Sequence, residues 1–297
     1  MSAIEHIGLL GFGEVGQTLA ADFRAVGVTQ LTAFDLLFNE PESACARAAR
    51  AANVRVEASA AEAVAAADLG VSAVTAAQDV AAARSVVGAM KAGAYFLDVN
   101  SVSPGVKMET AALIEGSGAR YVEAAIMSPI SPKGVGSPML LGGKHAAAFL
   151  PLAQRLGFSG AQVFSEEIGR ASAAKMCRSV MIKGMEALLT ESLLSARHYG
   201  VESTVIDSLR SLFPGTDWSM LARYMISRSL IHGRRRAEEM REVAQTVGEA
   251  GLEPLMSAAC AQRQDWAASF GEVASIDELD ALLDAVLSHA QAEKPPC

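Results

Sequence analysis

The stretch Ile7-Gly8-Leu9-Leu10-Gly11-Phe12-Gly13-Glu14-Val15-Gly16 decides the fold of this chain. It begins with aliphatic residues, which are typical of a buried strand, and it ends in a pattern of three glycines, Gly11, Gly13 and Gly16. The first glycine permits a tight turn, the second lets a ligand approach the backbone, and the third lets a helix lie close to the strand. The stretch therefore predicts a strand, a glycine-rich loop and the start of a helix.

A carboxylate at the end of the next apolar run completes this pattern. Leu31–Phe34 predicts a second strand, and Asp35 follows it directly. In such an arrangement the helix N-terminus faces a pyrophosphate and the carboxylate bonds a ribose 2′-hydroxyl. The predicted cofactor-binding residues are Gly11, Phe12, Gly13, Glu14, Val15, Gly16 and Asp35. Because no basic residue adjoins Asp35, the pattern favours NAD, although Arg47 and Arg50 leave NADP open.

The first half of the chain alternates short apolar runs with alanine-rich helical stretches, and the second half is helical throughout. The predicted strands are Ile4–Leu10, Leu31–Phe34, Val54–Val56, Leu69–Val74, Tyr95–Val99, Tyr121–Ala125, Met139–Leu141 and Ala161–Phe164. The later predicted helices are Ala171–His198, Trp218–Leu230, Arg234–Ala250, Leu255–Phe270 and Ile276–His289. We therefore predict an α/β Rossmann-type, doubly wound parallel sheet domain over residues 1–165 and an all-α helical domain over residues 166–297.

The composition narrows the class of partner. The 297 residues are 51% hydrophobic and 20% charged, which excludes a disordered chain. The net charge of −8 and the 5% aromatic content argue against nucleic acid and anionic lipid and favour a small-molecule substrate. No apolar run approaches the roughly 20 residues of a membrane span.

The cysteines and the N-terminal residues indicate a cytoplasmic protein. Cys45, Cys177, Cys260 and Cys297 have neither metal nor disulfide spacing, so we expect free thiols and no metal site. The first residues lack the basic and apolar regions of a secretory signal.

Three further segments follow the glycine loop in a recognisable order. They are Asp98–Pro104, Val122–Pro129 with the later Met139–Gly143, and Gly169–Lys175. With the glycine loop, they resemble the β-hydroxyacid dehydrogenase family, relatives of 6-phosphogluconate dehydrogenase, over roughly residues 4–190. The resemblance implies a dinucleotide-binding domain followed by a helical domain, with a catalytic lysine at the start of the latter.

The resemblance assigns roles to individual residues. Lys175 stands at the place of the catalytic lysine, and Asn100 and Ser101 lie in the segment that orients the substrate. The predicted substrate-binding residues are Ser101, Ser128, Arg178 and Ser179. Considered without the resemblance, the sequence favours a solvated helix lysine at Lys175, and it leaves open whether Asn100 and Ser101 contact a substrate or serve as turn or capping residues.

Two departures from the family pattern bear on the substrate. Met127, Ser128 and Pro129 replace a serine and two glycines whose backbone holds a substrate carboxylate, and Pro129 has no N–H to donate. Arg178 and Ser179 replace paired asparagines. The resemblance therefore implies the family's cofactor and catalytic lysine for this chain. It does not imply the family's ordinary substrate, a small 3-hydroxy acid. The imine reductases share the architecture but usually lack the lysine.

The predicted chemistry is hydride transfer between a nicotinamide and an alcohol or carbonyl. Lysine is a poor base at its reference pKa of about 10.4, but burial and a neighbouring cation such as Arg178 favour its neutral form. Lys175 would then exchange a proton with the substrate oxygen. Oxidative decarboxylation is a variant that the residues do not separate, and the alternative is a non-catalytic NAD(P)-binding or redox-sensing module.

The helical half carries two further predictions. His232 and Arg234–Arg236 either clamp an anionic group or form a solvated face paired with glutamates. The apolar helix faces exceed what one neighbouring domain covers, which predicts a homodimer through the helical domain.

Overall fold

The computed structural model describes residues 4–292, so Cys297 lies outside the described residues. The chain divides into two compact units between Met176 and Cys177. The sequence places the division near residue 165, ahead of the long helix α7 (Arg170–His198), whereas the first turns of α7 belong to the first unit.

The first unit is built on one eight-stranded sheet with strand order β3-β2-β1-β4-β5-β6-β7-β8. Its strands are β1 His6–Leu10, β2 Gln30–Phe34, β3 Arg55–Val56, β4 Leu69–Ser72, β5 Tyr95–Asp98, β6 Arg120–Ile126, β7 Met139–Gly142 and β8 Ala161–Ser165. All neighbouring strands are parallel except β6 and β7. The predicted doubly wound α/β fold is therefore confirmed, with one antiparallel pair that the strand–helix alternation did not indicate.

Six helices connect these strands and cover the sheet. They are α1 Glu14–Ala25, α2 Ala44–Ala51, α3 Ala60–Ala65, α4 Asp79–Val86, α5 Pro104–Gly116 and α6 Ala146–Arg155. Every residue of β1 is buried, because apolar clusters lie on both faces of the sheet. Ile7 and Leu9 pack on one face and Leu10 packs on the other, as expected for alternating side chains. This burial explains why the central strands are continuously apolar.

The second unit is helical over its described residues. Beyond the later part of α7 it contains α8 Glu202–Leu212, α9 Trp218–Glu249, α10 Leu255–Ala267 and α11 Leu279–Ala292. Helix α8 was not predicted, and the two helices predicted on either side of Gly233 form the single helix α9. A Cβ at Gly233 would lie 2.4 Å from the carbonyl oxygen of Gln264, so this glycine permits close packing of α10 and does not end the helix.

Two further properties concern the described residues only. Cys45, Cys177 and Cys260 are free thiols, as expected. Between residues 4 and 292, no helix combines the length and the apolar character needed to span a membrane.

Candidate functional site

The glycine loop has the geometry that its sequence predicts. Gly11 has a φ of +87°, and a Cβ there would lie 2.4 Å from the carbonyl oxygen of Ala73. A Cβ at Gly16 would lie 2.3 Å from the carbonyl oxygen of Gly11. Both positions therefore require glycine for reasons internal to the fold.

Gly13 differs from its two neighbours in the motif. It lies at the N-cap of α1 with φ −74° and ψ −158°, a conformation that other residues adopt, and a Cβ there would meet nothing within 4 Å. Among residues 4–292, no side chain caps this end of α1. Neither strain nor packing requires glycine at this position, whereas a phosphate seated on the helix N-terminus does.

Asp35 lies at the carboxyl end of β2, beside the loop. Its carboxylate oxygens accept hydrogen bonds from the backbone N–H of Phe12 at 2.7 Å and of Leu37 at 2.9 Å. These bonds fix the acid next to the glycine motif. The open face at Gly13, the uncapped N-terminus of α1 and the adjacent acid together fit a dinucleotide. That Gly11–Gly16 hold its pyrophosphate and Asp35 its ribose remains a prediction.

Lys175 and Ser101 meet in the first unit although 74 residues separate them. The Lys175 Nζ donates a hydrogen bond of 2.6 Å to the Ser101 Oγ, and both side chains are half-buried. Ser101 follows β5, at the carboxyl edge of the sheet where ligands bind in such folds. Lys175 lies on the second turn of α7. The structure therefore brings together two of the three residues predicted as catalytic.

Asn100, the third predicted catalytic residue, lies beneath this surface. Its side chain is buried, and its Oδ1 accepts a 2.8 Å hydrogen bond from the Val74 N–H. Its Nδ2 donates to the Ser72 Oγ at 2.9 Å and faces the Asp79 carboxylate at 3.4 Å. All of these partners belong to the protein, so Asn100 holds the turn that carries Ser101, and its contact with a substrate remains a prediction.

A buried charged cluster supports the same turn. The Lys107 Nζ lies 2.7 Å from the Asp98 Oδ1, and the Tyr121 hydroxyl donates a 2.7 Å hydrogen bond to the Asp98 Oδ2. Asp98 also accepts from the backbone N–H of Asn100 at 3.0 Å. Burial and then the Asp98 carboxylate raise the pKa of Tyr121 well above its ordinary value. This cluster therefore ties β5, β6 and α5 to the residues that follow β5.

Asp79 borders the same cluster from α4. The Thr110 hydroxyl donates to its Oδ1 at 2.8 Å, and its side chain is almost entirely buried. Burial and the neighbouring Asp98 carboxylate raise the pKa of Asp79 to about 7. Sequence reasoning missed Asp79, Lys107 and Tyr121. The available signal was Asp98, a charged residue that closes an otherwise apolar strand.

The remaining predicted substrate residues belong to different units and are described separately. The Ser128 Oγ donates to the carbonyl oxygen of Pro129 at 3.1 Å. Arg178 is exposed on α7 and Ser179 is buried there, both in the second unit. Their contacts with a substrate remain predictions.

The basic stretch on α9 is not one continuous patch. Arg235 is exposed and pairs with Glu239 at 3.2 Å, as its i, i+4 spacing predicts. Arg236 is buried and pairs with Glu186 of α7. His232 is half-buried. Among the described residues, no group of three or more His, Cys, Asp or Glu side chains is placed to hold a metal ion.

Comparison with protein families gives two matches. Residues 6–164 match the NAD binding domain of 6-phosphogluconate dehydrogenase. Residues 196–267 match a domain of unknown function, DUF1932.

Several individual proteins are similar along most of their length. A conserved hypothetical protein from Sinorhizobium meliloti 1021 is 34% identical, with 97% of each chain covered and a TM-score of 0.77. A conserved protein described as structurally similar to 3-hydroxyacid dehydrogenases is 32% identical, with 92% of this chain and 100% of that chain covered and a TM-score of 0.70. The 2-(hydroxymethyl)glutarate dehydrogenase of Eubacterium barkeri is 24% identical over 73% of this chain and 72% of the relative.

Proposed function

We propose that Lys175 is the general acid/base of this protein. The chain belongs to the family of the NAD binding domain of 6-phosphogluconate dehydrogenase and is an NAD(P)-dependent dehydrogenase. The observation that carries this proposal is the 2.6 Å hydrogen bond from the Lys175 Nζ to the Ser101 Oγ. It joins the lysine to a serine at the sheet edge where a substrate lies in related folds.

The substrate class that we propose is an alcohol next to an acidic or similarly polar group. The relatives described as 2-(hydroxymethyl)glutarate dehydrogenase and as similar to 3-hydroxyacid dehydrogenases support this class. Pro129 has no backbone N–H, so the substrate's acidic group is held differently from that of a small 3-hydroxy acid. Ser128 is the side chain of the first unit that we propose for this contact.

The proposed mechanism assigns one proton transfer to the protein. The bound NAD(P) supplies the hydride acceptor or donor. Ser101 accepts from Lys175 through its oxygen and keeps its own hydroxyl hydrogen to donate to the substrate oxygen. In the oxidative direction the neutral Lys175 amine takes the proton of the substrate hydroxyl, and in the reductive direction the ammonium returns it to the carbonyl oxygen.

Oxidative decarboxylation is a second step that the same lysine would serve. After hydride removal, a β-keto acid would lose CO₂, and the resulting enolate would take up the proton that the Lys175 ammonium gained during the oxidation. Measurement of CO₂ release per hydride transferred decides whether the step occurs.

Replacement of Lys175 tests the proposal. Lys175→Ala is expected to lower kcat about a hundredfold or more, because loss of a general acid/base removes that factor. Lys144→Ala is the matched control, since Lys144 is an exposed lysine that pairs with Glu115. Turnover across a panel of hydroxy acids is measured together with cofactor affinity, which we expect both variants to retain. Normal turnover by Lys175→Ala contradicts the role of Lys175.

The cofactor preference rests on Asp35. We propose NAD over NADP, because a carboxylate at the end of β2 accepts from a ribose 2′-hydroxyl and repels a 2′-phosphate. Thermal-shift titration with both cofactors is the measurement. Asp35→Ala is expected to lose affinity for NAD and to gain relative affinity for NADP, and an unchanged ratio removes Asp35 from the site.

The unusual segment after β6 favours a second candidate function, a non-catalytic NAD(P)-binding or redox-sensing module. Met127, Ser128 and Pro129 lack the paired glycines of the dehydrogenases. This candidate predicts cofactor binding without turnover of any member of the hydroxy-acid panel.

Association into a homodimer through the helical unit is also proposed. Met220, Tyr224 and Ile231 are each more than half exposed and share one face of α9 by their spacing. We propose that this face of α9 packs against a second copy of the chain. A monomer in light scattering at working concentration contradicts it.

A further inference from the structure

Helix α7 begins with a cap that comes from another part of the chain. Gly169 precedes the helix, and its carbonyl oxygen accepts the first helical hydrogen bond, from the Ala173 N–H at 2.9 Å. The Glu123 Oε2 accepts from the Gly169 N–H at 2.7 Å, and the Glu123 Oε1 accepts from the Ser172 N–H at 2.6 Å. These are the two N–H groups that a local capping box satisfies with two side chains. Here one carboxylate satisfies both of them from β6.

The surroundings of Glu123 are arranged for this contact. Its side chain is fully buried, so its carboxylate cannot exchange these donors for water. Gly142 is its partner on β7, and a Cβ at that position would lie 2.5 Å from the Glu123 Oε2. A negative group at a helix N-terminus is further stabilised by the helix dipole and by charge-assisted hydrogen bonds.

The clamped turn is continuous with the turn that carries Lys175. Lys175 follows Ser172 by three residues and therefore lies one turn farther along the same side of α7. Ala171, within the clamped turn, is fully buried against Ala125 and Leu140 of the sheet. Since a helix is stiff over one turn, the position of its first N–H groups fixes the Cα of Lys175 and therefore the region that its flexible side chain can reach, which here includes the Ser101 hydroxyl.

We infer that Glu123 is a positioning residue for Lys175: its carboxylate holds the start of α7 so that the lysine amine meets the Ser101 hydroxyl. The inference rests on the proposed function of Lys175 for its catalytic consequence. The clamp itself is tested without any substrate.

The first measurement is the rate at which N-hydroxysuccinimidyl acetate acetylates Lys175, followed by mass spectrometry of peptides. Lys91 and Lys144, both exposed, serve as references in the same sample. In Glu123→Gln one of the two N–H groups loses its acceptor and faces an amide donor. We expect the acetylation of Lys175 relative to the references to rise about threefold or more, because the amine is released from Ser101.

Asp217→Ala is the matched control. Asp217 caps α9 by accepting from the Met220 N–H at 3.0 Å, so this variant also loses a helix cap. Both variants are expected to melt at lower temperature, but only Glu123→Gln changes the relative labelling of Lys175. A folded Glu123→Gln variant with unchanged labelling overturns the inference, as does an equal change in Asp217→Ala.

A conservative variant keeps the test decisive if Glu123→Gln does not fold. Glu123→Asp retains the charge but is one methylene shorter, so it reaches at most one of the two N–H groups. We expect labelling between the wild-type and Glu123→Gln levels, and wild-type labelling overturns the inference.

Turnover separates this inference from the proposed function. With an active substrate, Glu123→Gln is expected to lower kcat about tenfold or more and to leave KM for the dinucleotide within about twofold, because a misplaced catalytic group costs rate and not cofactor affinity. If Lys175→Ala retains turnover, the proposed function fails while the labelling result still decides the clamp.

Discussion

Both units of this chain contain a buried carboxylate in an ion pair, but the hydrogen-bonding groups around the two carboxylates are satisfied to different extents. In the first unit, Asp98 accepts from Lys107, Tyr121 and the Asn100 backbone, so both of its oxygens are satisfied. In the second unit, Glu186 pairs with Arg236 and accepts from the Gln264 amide at 3.3 Å. Burial raises the pKa of Glu186 even though Arg236 lowers it. Within the described residues, the Arg236 Nε and the Gln264 Oε1 are buried without a partner.

The difference lies in what each cluster holds. The Asp98 cluster ends at the turn with Asn100 and Ser101, which carries the proposed proton transfer. The Glu186 cluster instead joins three helices of the second unit, α7, α9 and α10. A fully satisfied buried network specifies one arrangement, whereas a partly satisfied one costs free energy. The comparison indicates that the buried charges around Asp98 fix the position of the turn with Asn100 and Ser101. The buried charges around Glu186 join the helices of the second unit.

The largest effect that we expect comes from breaking the Asp98 cluster. Lys107→Met leaves Asp98 buried without its cation, which costs about 3–5 kcal/mol of unfolding free energy. Lys144→Met, at an exposed pair, is the control and is expected to cost less than about 1 kcal/mol. Urea unfolding measures both. A loss below about 1 kcal/mol for Lys107→Met contradicts the importance of this cluster.

The pH dependence of stability sharpens the comparison. The pKa of Asp79 is raised from 3.8 to about 7, so between these values the folded state binds the proton that the unfolded state has lost. The unfolding free energy therefore falls as pH rises from about 4 to about 7, by a few kcal/mol at about 1.4 kcal/mol for each pKa unit.

Asp79→Asn mimics the protonated form and removes this titration. We expect urea midpoints at pH 5 and pH 8 to lie closer together in the variant than in the wild type. An unchanged slope shows that Asp79 is ionised throughout this range.

A smaller loss is expected in the second unit. Arg236→Met removes the cation from Glu186. Burial raises the pKa of Glu186 and so favours its neutral form. A neutral buried group that has lost its partner costs about 1–3 kcal/mol of unfolding free energy. Thermal unfolding measures the loss, and the stabilisation by NAD(P) is expected to persist. Loss of NAD(P) stabilisation in this variant contradicts a purely structural role for the pair.

The smallest effect is expected one residue earlier. Arg235 is half exposed and pairs with Glu239, so Arg235→Ala is expected to cost only a few tenths of a kcal/mol. A cost equal to that of Arg236→Met removes the distinction between the two arginines.

The sequence predicted those features that depend on neighbouring residues. Gly11–Gly16 and Asp35 form a local pattern of strand, loop, helix and acid, and the structure has that arrangement. The division near residue 165 precedes α7, whose first turns belong to the sheet unit because Glu123 and the apolar sheet residues hold them. Gly233 suggested a break between two helices, because glycine disfavours helices. In the structure its lack of a Cβ lets α10 pack closely against the continuous helix α9.

By itself, the sequence determined the fold class and the glycine-rich loop after β1, because hydrophobic periodicity and glycine spacing are properties of contiguous residues. The candidate lysine came from the resemblance of the segment Gly169–Lys175 to the dehydrogenase family. Only the tertiary structure decided which distant groups the buried acids contact. Glu123 reaches donors 46 and 49 residues away, and Lys175 reaches Ser101 across 74 residues. A charged residue in an apolar strand indicates that it needs a hydrogen-bonding or charged partner. The sequence does not identify that partner, because contacts between distant segments exist only after the sheet and helices have assembled.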